Sequence, residues 1–232
     1  MGTSYSPKIV TDGLVGYWDP ADKNSYPGSG TTLSDLSGYG NHGTISGATF
    51  DSNGYFVFDG SNDSVDCGDD TSLDITSTIT LSVWVNMDVA GDDETSIQFL
   101  GRDGTDSPQA RNYEIMAWAD DGKIYYQNWT SNTNNYVAWN SGVWQANTWY
   151  CFTATYDGSN DRIYTNGVLD CTPHAHTGAI DNDDISFTIG YRKGQNHRYM
   201  DGKIGPAFVY NRALTATEIQ QNFEAHRHRF GV

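Results

Sequence analysis

Between positions 79 and 85 the chain reads Ile79-Thr80-Leu81-Ser82-Val83-Trp84-Val85, with an aliphatic residue at every second place. Successive side chains of an extended strand point to opposite faces, so Ile79, Leu81, Val83 and Val85 share one face and Thr80, Ser82 and Trp84 the other. A helix would scatter the same residues around its axis, whereas a strand gathers them into one apolar row. The segment predicts a half-buried antiparallel strand. Similar runs occur at Tyr113 to Trp118, Ile124 to Trp129, Trp149 to Tyr156, Asp161 to Thr165, Ile185 to Gly190 and Lys203 to Tyr210, set apart by Gly, Asn and Asp. Many short strands with such turns predict an all-β fold, a sandwich of two antiparallel sheets.

Size and composition bound this expectation. A chain of 232 residues fills one large sandwich and is too short for two. All but four of its 29 acidic residues are Asp, a bias that sends carboxylates to turns instead of helices. The net charge of −16 repels nucleic acid and anionic lipid surfaces at long range, so no nucleic-acid partner is expected. No apolar stretch approaches the ~20 residues that span a bilayer, and membrane insertion is not expected either. Cys67, Cys151 and Cys171 are odd in number and irregular in spacing, which indicates neither a disulfide scaffold nor a zinc cluster. Met1 to Val10 has no apolar run of the secretory kind, so synthesis in a cytoplasm without a signal peptide is expected.

Two local motifs refine the picture. Asp-Gly-Ser-Asn-Asp stands at both 59–63 and 157–161, with unmatched flanks, and reads as shared turn chemistry; the second copy sits in a hairpin between Tyr156 and Tyr164. Thr215-Ala216-Thr217-Glu218 is a capping box, after which Ile219 and Phe223 supply an apolar face, predicting one short C-terminal helix. Its basic end, His226-Arg227-His228-Arg229, is expected to be a solvated helix terminus whose cations suit the negative end of the dipole.

Several segments, in order, resemble the concanavalin A-like lectin/glucanase superfamily, specifically its laminin-G-like domains of the bacterial and phage type. They begin with Gly13-Leu14-Val15-Gly16-Tyr17-Trp18, Asp35-Leu36-Ser37-Gly38-Tyr39-Gly40-Asn41-His42-Gly43 and Phe58-Asp59-Gly60-Ser61-Asn62-Asp63. They continue through Thr148-Trp149-Tyr150, Thr155-Tyr156-Asp157-Gly158 and Tyr164-Thr165-Asn166-Gly167-Val168-Leu169 to the stretch from Asp201-Gly202-Lys203 to Asn211-Arg212-Ala213-Leu214-Thr215. The resemblance implies a concanavalin A-like jelly-roll β-sandwich over residues 13–214, with an N-terminal arm at 1–12 and the C-terminal helix at 215–232. Lys8 to Val15 and Ser25 to Thr32 look most like stand-alone proteins of tailed phages, including those of cyanobacteria. That implies a non-enzymatic virion protein, a capsid decoration, fibre or tail component, displayed on the virion surface for adhesion to cell-surface glycans. Its partners would be other virion proteins or itself; the oligomeric state stays open, a homotrimer being one option. A free-standing carbohydrate-binding lectin is the alternative, and a glycoside hydrolase the remote one.

Site residues follow from chemistry and resemblance together. Similar domains place a structural Ca2+ near the segments that hold Asp35, Asn41, Asp59, Asp63 and Asp201; the same residues form turns without metal, and both readings stand. Sugar binding needs an aromatic against the apolar face of the ring and amides for its hydroxyls, a mixture found in Trp129, Tyr136 and Trp139 with Asn132, Asn134 and Asn135. The competing role for these aromatics is core packing, and Trp18, Trp84 and Trp149 are assigned there. For catalysis, the strand motif Glu-x-Asp-x-x-Glu of similar laminarinases is absent, and Glu94, Glu114, Glu218 and Glu224 are scattered. His174 and His176 fall in a loop and are expected to be solvated.

Overall fold

The structure is a computed structural model that describes residues 7–88, 96–106, 109–118, 121–130, 133–137, 140–194 and 199–232. In chain order it begins with β1 (Leu14–Trp18), β2 (Thr32–Leu33), β3 (Gly43–Ser46), β4 (Thr49–Asp51), β5 (Tyr55–Asp59) and β6 (Ser64–Asp66), then a 3-10 turn at Thr71–Leu73. Longer strands follow: β7 (Ile79–Met87), β8 (Ser96–Asp106), β9 (Gln109–Trp118), β10 (Lys123–Thr130), β11 (Thr133–Val137) and β12 (Trp149–Tyr156). Next come β13 (Asn160–Thr165), β14 (Val168–Leu169), β15 (His174–Ala175), β16 (Thr188–Ile189), β17 (Asp201–Tyr210) and the helix α1 (Ala216–Phe230).

These strands form two sheets. The first runs β14-β13-β12-β7-β17-β5-β4, with β1 also paired to β17 and β15 to β13; the second runs β11-β10-β9-β8-β16-β6-β3-β2. Every strand pairing among the described residues is antiparallel, so the two-sheet sandwich predicted from the alternation is the fold observed, in keeping with the jelly roll that the resemblance implies. Between the sheets lies a single large core in which Leu81, Val83 and Val85 meet Phe99, Ile115, Phe152 and Phe187. Burying each such side chain contributes roughly 1.5–3 kcal/mol, which is why the alternation fixes the register of β7 so strongly.

The strand β7 departs from expectation in one respect. Its polar-looking face is also buried, with Thr80, Ser82 and Trp84 at 0, 3 and 0 % exposure. The reason is α1, which lies across the outer face of the first sheet. Trp84 stacks on Phe223 and Phe230 of that helix at centroid distances of 5.6 and 4.4 Å. Thr80 donates to the carbonyl of Arg212 at 2.8 Å and accepts from the Leu214 amide at 2.9 Å, while the Ser82 and Thr153 hydroxyls bond each other at 2.7 Å. Leu14, Phe208, Tyr210 and Ile219 complete this second apolar layer.

The helix starts as the capping box predicts. The Glu218 amide donates to Thr215 Oγ1 at 3.3 Å, and the Thr215 amide donates back to Glu218 Oε2 at 2.8 Å. Its basic end is solvated as expected only at Arg227 and His228. Arg229 donates to both oxygens of Asp19 at 2.8 and 2.9 Å and to the carbonyl of Gly54 at 3.2 Å, and His226 is buried. Arg229 and His226 anchor the helix to the end of β1. The N-terminal arm is held as well: the Val10 amide donates to Asn222 Oδ1 at 2.8 Å, and Tyr210 Oη donates to the Val10 carbonyl at 2.9 Å.

Two further expectations are refined. The strand anticipated at Ile185 to Gly190 contracts to Thr188–Ile189, because the carbonyls of Asp183 and Ile185 turn toward the Arg102 guanidinium at 3.2 and 2.9 Å. The repeated pentapeptide is shared turn chemistry: Asp59 and Asp157 each accept from the amide two residues on, of Ser61 and Ser159, both at 2.9 Å. The first turn passes between sheets and the second closes the β12–β13 hairpin.

Candidate functional site

The register of β8 slips between Arg102 and Asp103, and the two residues send opposite charges to different surroundings. Arg102, 1 % exposed, donates to the carbonyls of Ile185 and Leu73, both at 2.9 Å, to Asp74 at 2.6 Å, and to Asp69. It thereby ties the segments around 69–74 and 182–185 into one wall. Asp103, fully buried, accepts from Arg192 at 2.7 Å; Arg192 is also 3.6 Å from Glu114, and Arg111 is 3.7 Å from Asp103. Burial, and next the neighbouring Glu114, hold the Asp103 carboxyl well above the usual carboxylate range, while the Arg192 charge opposes them.

Beside this buried network opens a cleft of about 740 Å3, lined among others by Asp69, Asp184, Ser186, Tyr191 and Lys193. Arg192 turns inward to the carboxylates while its neighbours Tyr191 and Lys193 line the cleft, as an extended segment requires. The Tyr191 ring stacks on Tyr199 with centroids 4.5 Å apart and planes 12° from parallel. Its hydroxyl accepts from the Gly194 amide at 2.6 Å, which closes the turn from Tyr191 to Gly194. Lys193 Nζ donates to Asp66 at 3.1 Å and to Ser186 Oγ at 2.5 Å. Burial raises the Asp69 carboxyl, its hydrogen bond to Asp184 raises it further, and the Arg102 charge opposes both. The cleft thus combines a rigid aromatic platform with donors and acceptors of both kinds, a mixture suited to a polyhydroxylated ligand.

The aromatic stretch anticipated from the sequence is placed differently. Trp129 is not an exposed platform: it is 6 % exposed, lies beneath the Arg111 guanidinium at 4.5 Å, and its indole nitrogen has no hydrogen-bond partner among the described residues. Strand pairing sets positions 134 and 136 opposite Trp129 and Gln127, and position 135 opposite Asn128. Asn132 and Trp139 lie outside the described residues, as do the side chains of Asn134, Asn135 and Tyr136.

The five residues nominated for calcium form two groups. Asp35 accepts from the amides of Tyr17, Ser37, Gly40 and Asn41 at 2.8 to 3.1 Å and from Ser37 Oγ at 2.6 Å, which fills its lone pairs. Asn41 spends its amide on the Val15 carbonyl at 2.8 Å and Ser72 Oγ at 2.9 Å. Both residues serve the turn. Asp59, Asp63 and Asp201 are brought together where β5 pairs with β17: the Asp59 amide donates to Asp63 at 3.0 Å, and Asp59 stands opposite Asp201. Burial, then the charges of Asp88 and Asp59, raise the Asp201 carboxyl.

Sequence reasoning missed Tyr191, Tyr199, Lys193, Asp69 and Asp184. The available signal was Tyr191-Arg192-Lys193 directly after Gly190, where alternation of ring, cation and amine marks an extended segment with two different faces.

The family profile described as the concanavalin A-like lectin/glucanases superfamily, of the laminin G type, matches residues 59–220. The chain belongs to that superfamily. No curated protein matches its sequence. Among solved structures, this laminin-G-like chain is similar to domain 4 of AbnA, an arabinanase of Geobacillus stearothermophilus in complex with arabinotriose. The TM-score is 0.66 at 18 % identity, covering 90 % of this chain and 97 % of that one. It is also similar to Trypanosoma rangeli sialidase in complex with a difluoro-KDN, with a TM-score of 0.68 and 15 % identity over 94 % of this chain; it spans only 33 % of the sialidase. The botulinum neurotoxin serotype D ligand-binding domain, in complex with N-acetylneuraminic acid, gives 0.68 at 15 % identity, covering 93 % of this chain and 51 % of that one. At these identities the likeness is one of fold.

Proposed function

We propose that this laminin-G-like domain binds a neutral oligosaccharide in the cleft beside Tyr191 and does not cleave it. The observation that carries this reading is the Tyr191–Tyr199 stack at the same cleft as Lys193, Ser186, Asp69 and Asp184. Aromatic stacking supplies affinity for the apolar face of a sugar, and the polar groups select its hydroxyls. Asp69 and Asp184 line the cleft and the whole chain carries −16, so a sialylated or otherwise acidic sugar meets repulsion there. The AbnA domain, whose structure holds arabinotriose, makes a neutral pentose chain the first ligand to try. Non-catalytic binding is favoured because Asp103 and Glu114 are both sealed at 0 % exposure against Arg192 and cannot meet a substrate in this conformation.

Calorimetric titration with arabinotriose, other neutral oligosaccharides and a sialylated control tests the proposal. Stacking contributes about 1–1.5 kcal/mol, so Tyr191→Ala weakens binding roughly tenfold. Silence across the neutral panel from correctly folded protein removes the reading. A structural calcium belongs to the same reading at Asp59, Asp63 and Asp201, and identical melting midpoints in calcium and in chelator eliminate it. Display on a phage virion rests on the sequence resemblance alone; a particle proteome without this chain ends that idea.

A further inference from the structure

In the hairpin strand β13, the second residue is Asp161, whose side chain is fully buried. Strand β15 pairs there, setting His174 directly opposite Asp161, and His176 follows two residues on. One carboxylate oxygen of Asp161 and one ring nitrogen from each histidine lie within 4.8 Å of one another. His174 Nδ1 is 3.7 Å from Asp161 Oδ2, and His176 Nδ1 approaches the same oxygen closely. His176 is 8 % exposed, and neither of its nitrogens, nor Asp161 Oδ2, makes a well-formed hydrogen bond among the described residues. Three ligand-type atoms therefore converge on one point, where Asp161 Oδ2 and the His176 nitrogens have no neighbour to bond beyond one another and His174.

We infer that Asp161, His174 and His176 form a binding site for a divalent transition metal of the zinc class. Two imidazoles and one carboxylate suit Zn2+ and its neighbours, whereas calcium takes oxygen ligands only. The surroundings are those of a built site. Asn128 of the second sheet donates to the other oxygen of Asp161 at 2.8 Å, orienting the carboxylate as an outer partner does. The His176 ring lies flat on Tyr156, 4.4 Å between centroids and 8° from parallel, which fixes its direction.

The position gives the metal a structural task. The segment after β14 crosses the end of the sandwich. Tyr156 of the first sheet donates to the Gly178 carbonyl at 2.7 Å, and the Asp181 amide donates to the Trp129 carbonyl of the second sheet at 2.7 Å. A metal on Asp161, His174 and His176 pins this crossing segment to β13. His174, with its side chain 44 % exposed, leaves the site open to entry from solvent.

The test is thermal unfolding of the full chain after chelator treatment, with and without Zn2+, in the wild type, His174→Ala and His176→Ala. Zinc at about 100 times its Kd raises the wild-type Tm by roughly 5–10 °C. His174→Ala, an exposed position, keeps the metal-free Tm and loses the rise. Co2+ in place of zinc gives a visible ligand-field spectrum in the wild type that both variants lack. The inference is overturned by an unchanged wild-type Tm in zinc, or by a rise that His174→Ala retains in full, which would place the metal on other histidines. A calcium-induced rise equal to that with zinc overturns it too. Sugar binding at the Tyr191 cleft has no part in these readouts.

Discussion

Arg192 brings a cation to two buried carboxylates of the second sheet. Its guanidinium is 4 % exposed and faces Asp103 and Glu114, both without solvent contact. Removing one partner of a buried ionic group strands the others, at a cost of about 3–5 kcal/mol, so Arg192→Met lowers the unfolding free energy by that amount and shifts the urea midpoint down with an unchanged m-value. An undiminished midpoint refutes the network. The sign of the pH effect at Asp103 also follows. Its folded pKa lies above its value of 3.8 in the open chain, so it contributes stability below 3.8 that is lost as pH rises through the folded value. Asp103→Asn, which cannot ionise, therefore gains on the wild type as pH is raised from 4 to 8; parallel stability curves for the two proteins would contradict this. None of these partnerships was legible in the sequence, where Asp103, Glu114 and Arg192 are separated and only a fold brings them together. His176 taught the same lesson: a loop histidine looks solvated until pairing of β15 with β13 buries it against Asp161.

Among the elements, α1 shows most clearly what local chemistry specifies. Its start was readable because a capping box is a contact between residues three apart, and Glu218 occupies it as the spacing requires. Arg212 adds two hydrogen bonds to the same carboxylate, at 3.0 and 2.6 Å, and with the Thr215 donors holds Glu218 down to about 2. A carboxyl depressed from 4.5 to that value contributes stability above 4.5 that disappears as pH falls toward 2. Glu218→Gln lowers Tm at pH 7 by about 2–4 °C, the equivalent of roughly 1 kcal/mol for a cap, and flattens the acid limb of the Tm–pH curve. An acid limb as steep as the wild type's would show that the carboxylate does not contribute. The strands were equally legible where alternation met a two-sided core, as in β7, β12 and β17. Legibility failed at Ile185 to Gly190, where a buried arginine competes for the carbonyls, and on the outer face of β7, because nothing local to Trp84 announces Phe223 and Phe230.

At the scale of the whole molecule, two opposing electrostatic effects respond differently to salt. The net charge of −16 makes the surface repel itself, while specific pairs such as Arg229 with Asp19 and Arg192 with Asp103 are largely withdrawn from solvent. Salt shortens the screening length from about 30 Å at 0.01 M to about 8 Å at 0.15 M, which suppresses the distributed repulsion far more than the enclosed pairs. The Tm should therefore rise, and not fall, over that range of sodium chloride. A falling Tm would mean that exposed attractive pairs outweigh the surplus of carboxylates. The same titration separates classes of ligand. A neutral oligosaccharide seated against Tyr191 keeps its affinity as salt is raised, because stacking and hydrogen bonds to uncharged hydroxyls carry no long-range term. A cationic ligand drawn to the carboxylate-rich surface weakens steeply over the same range. Binding measured at 0.01 and 0.15 M salt thus tests the proposed ligand class without its exact identity, and strong salt dependence would point away from a neutral sugar.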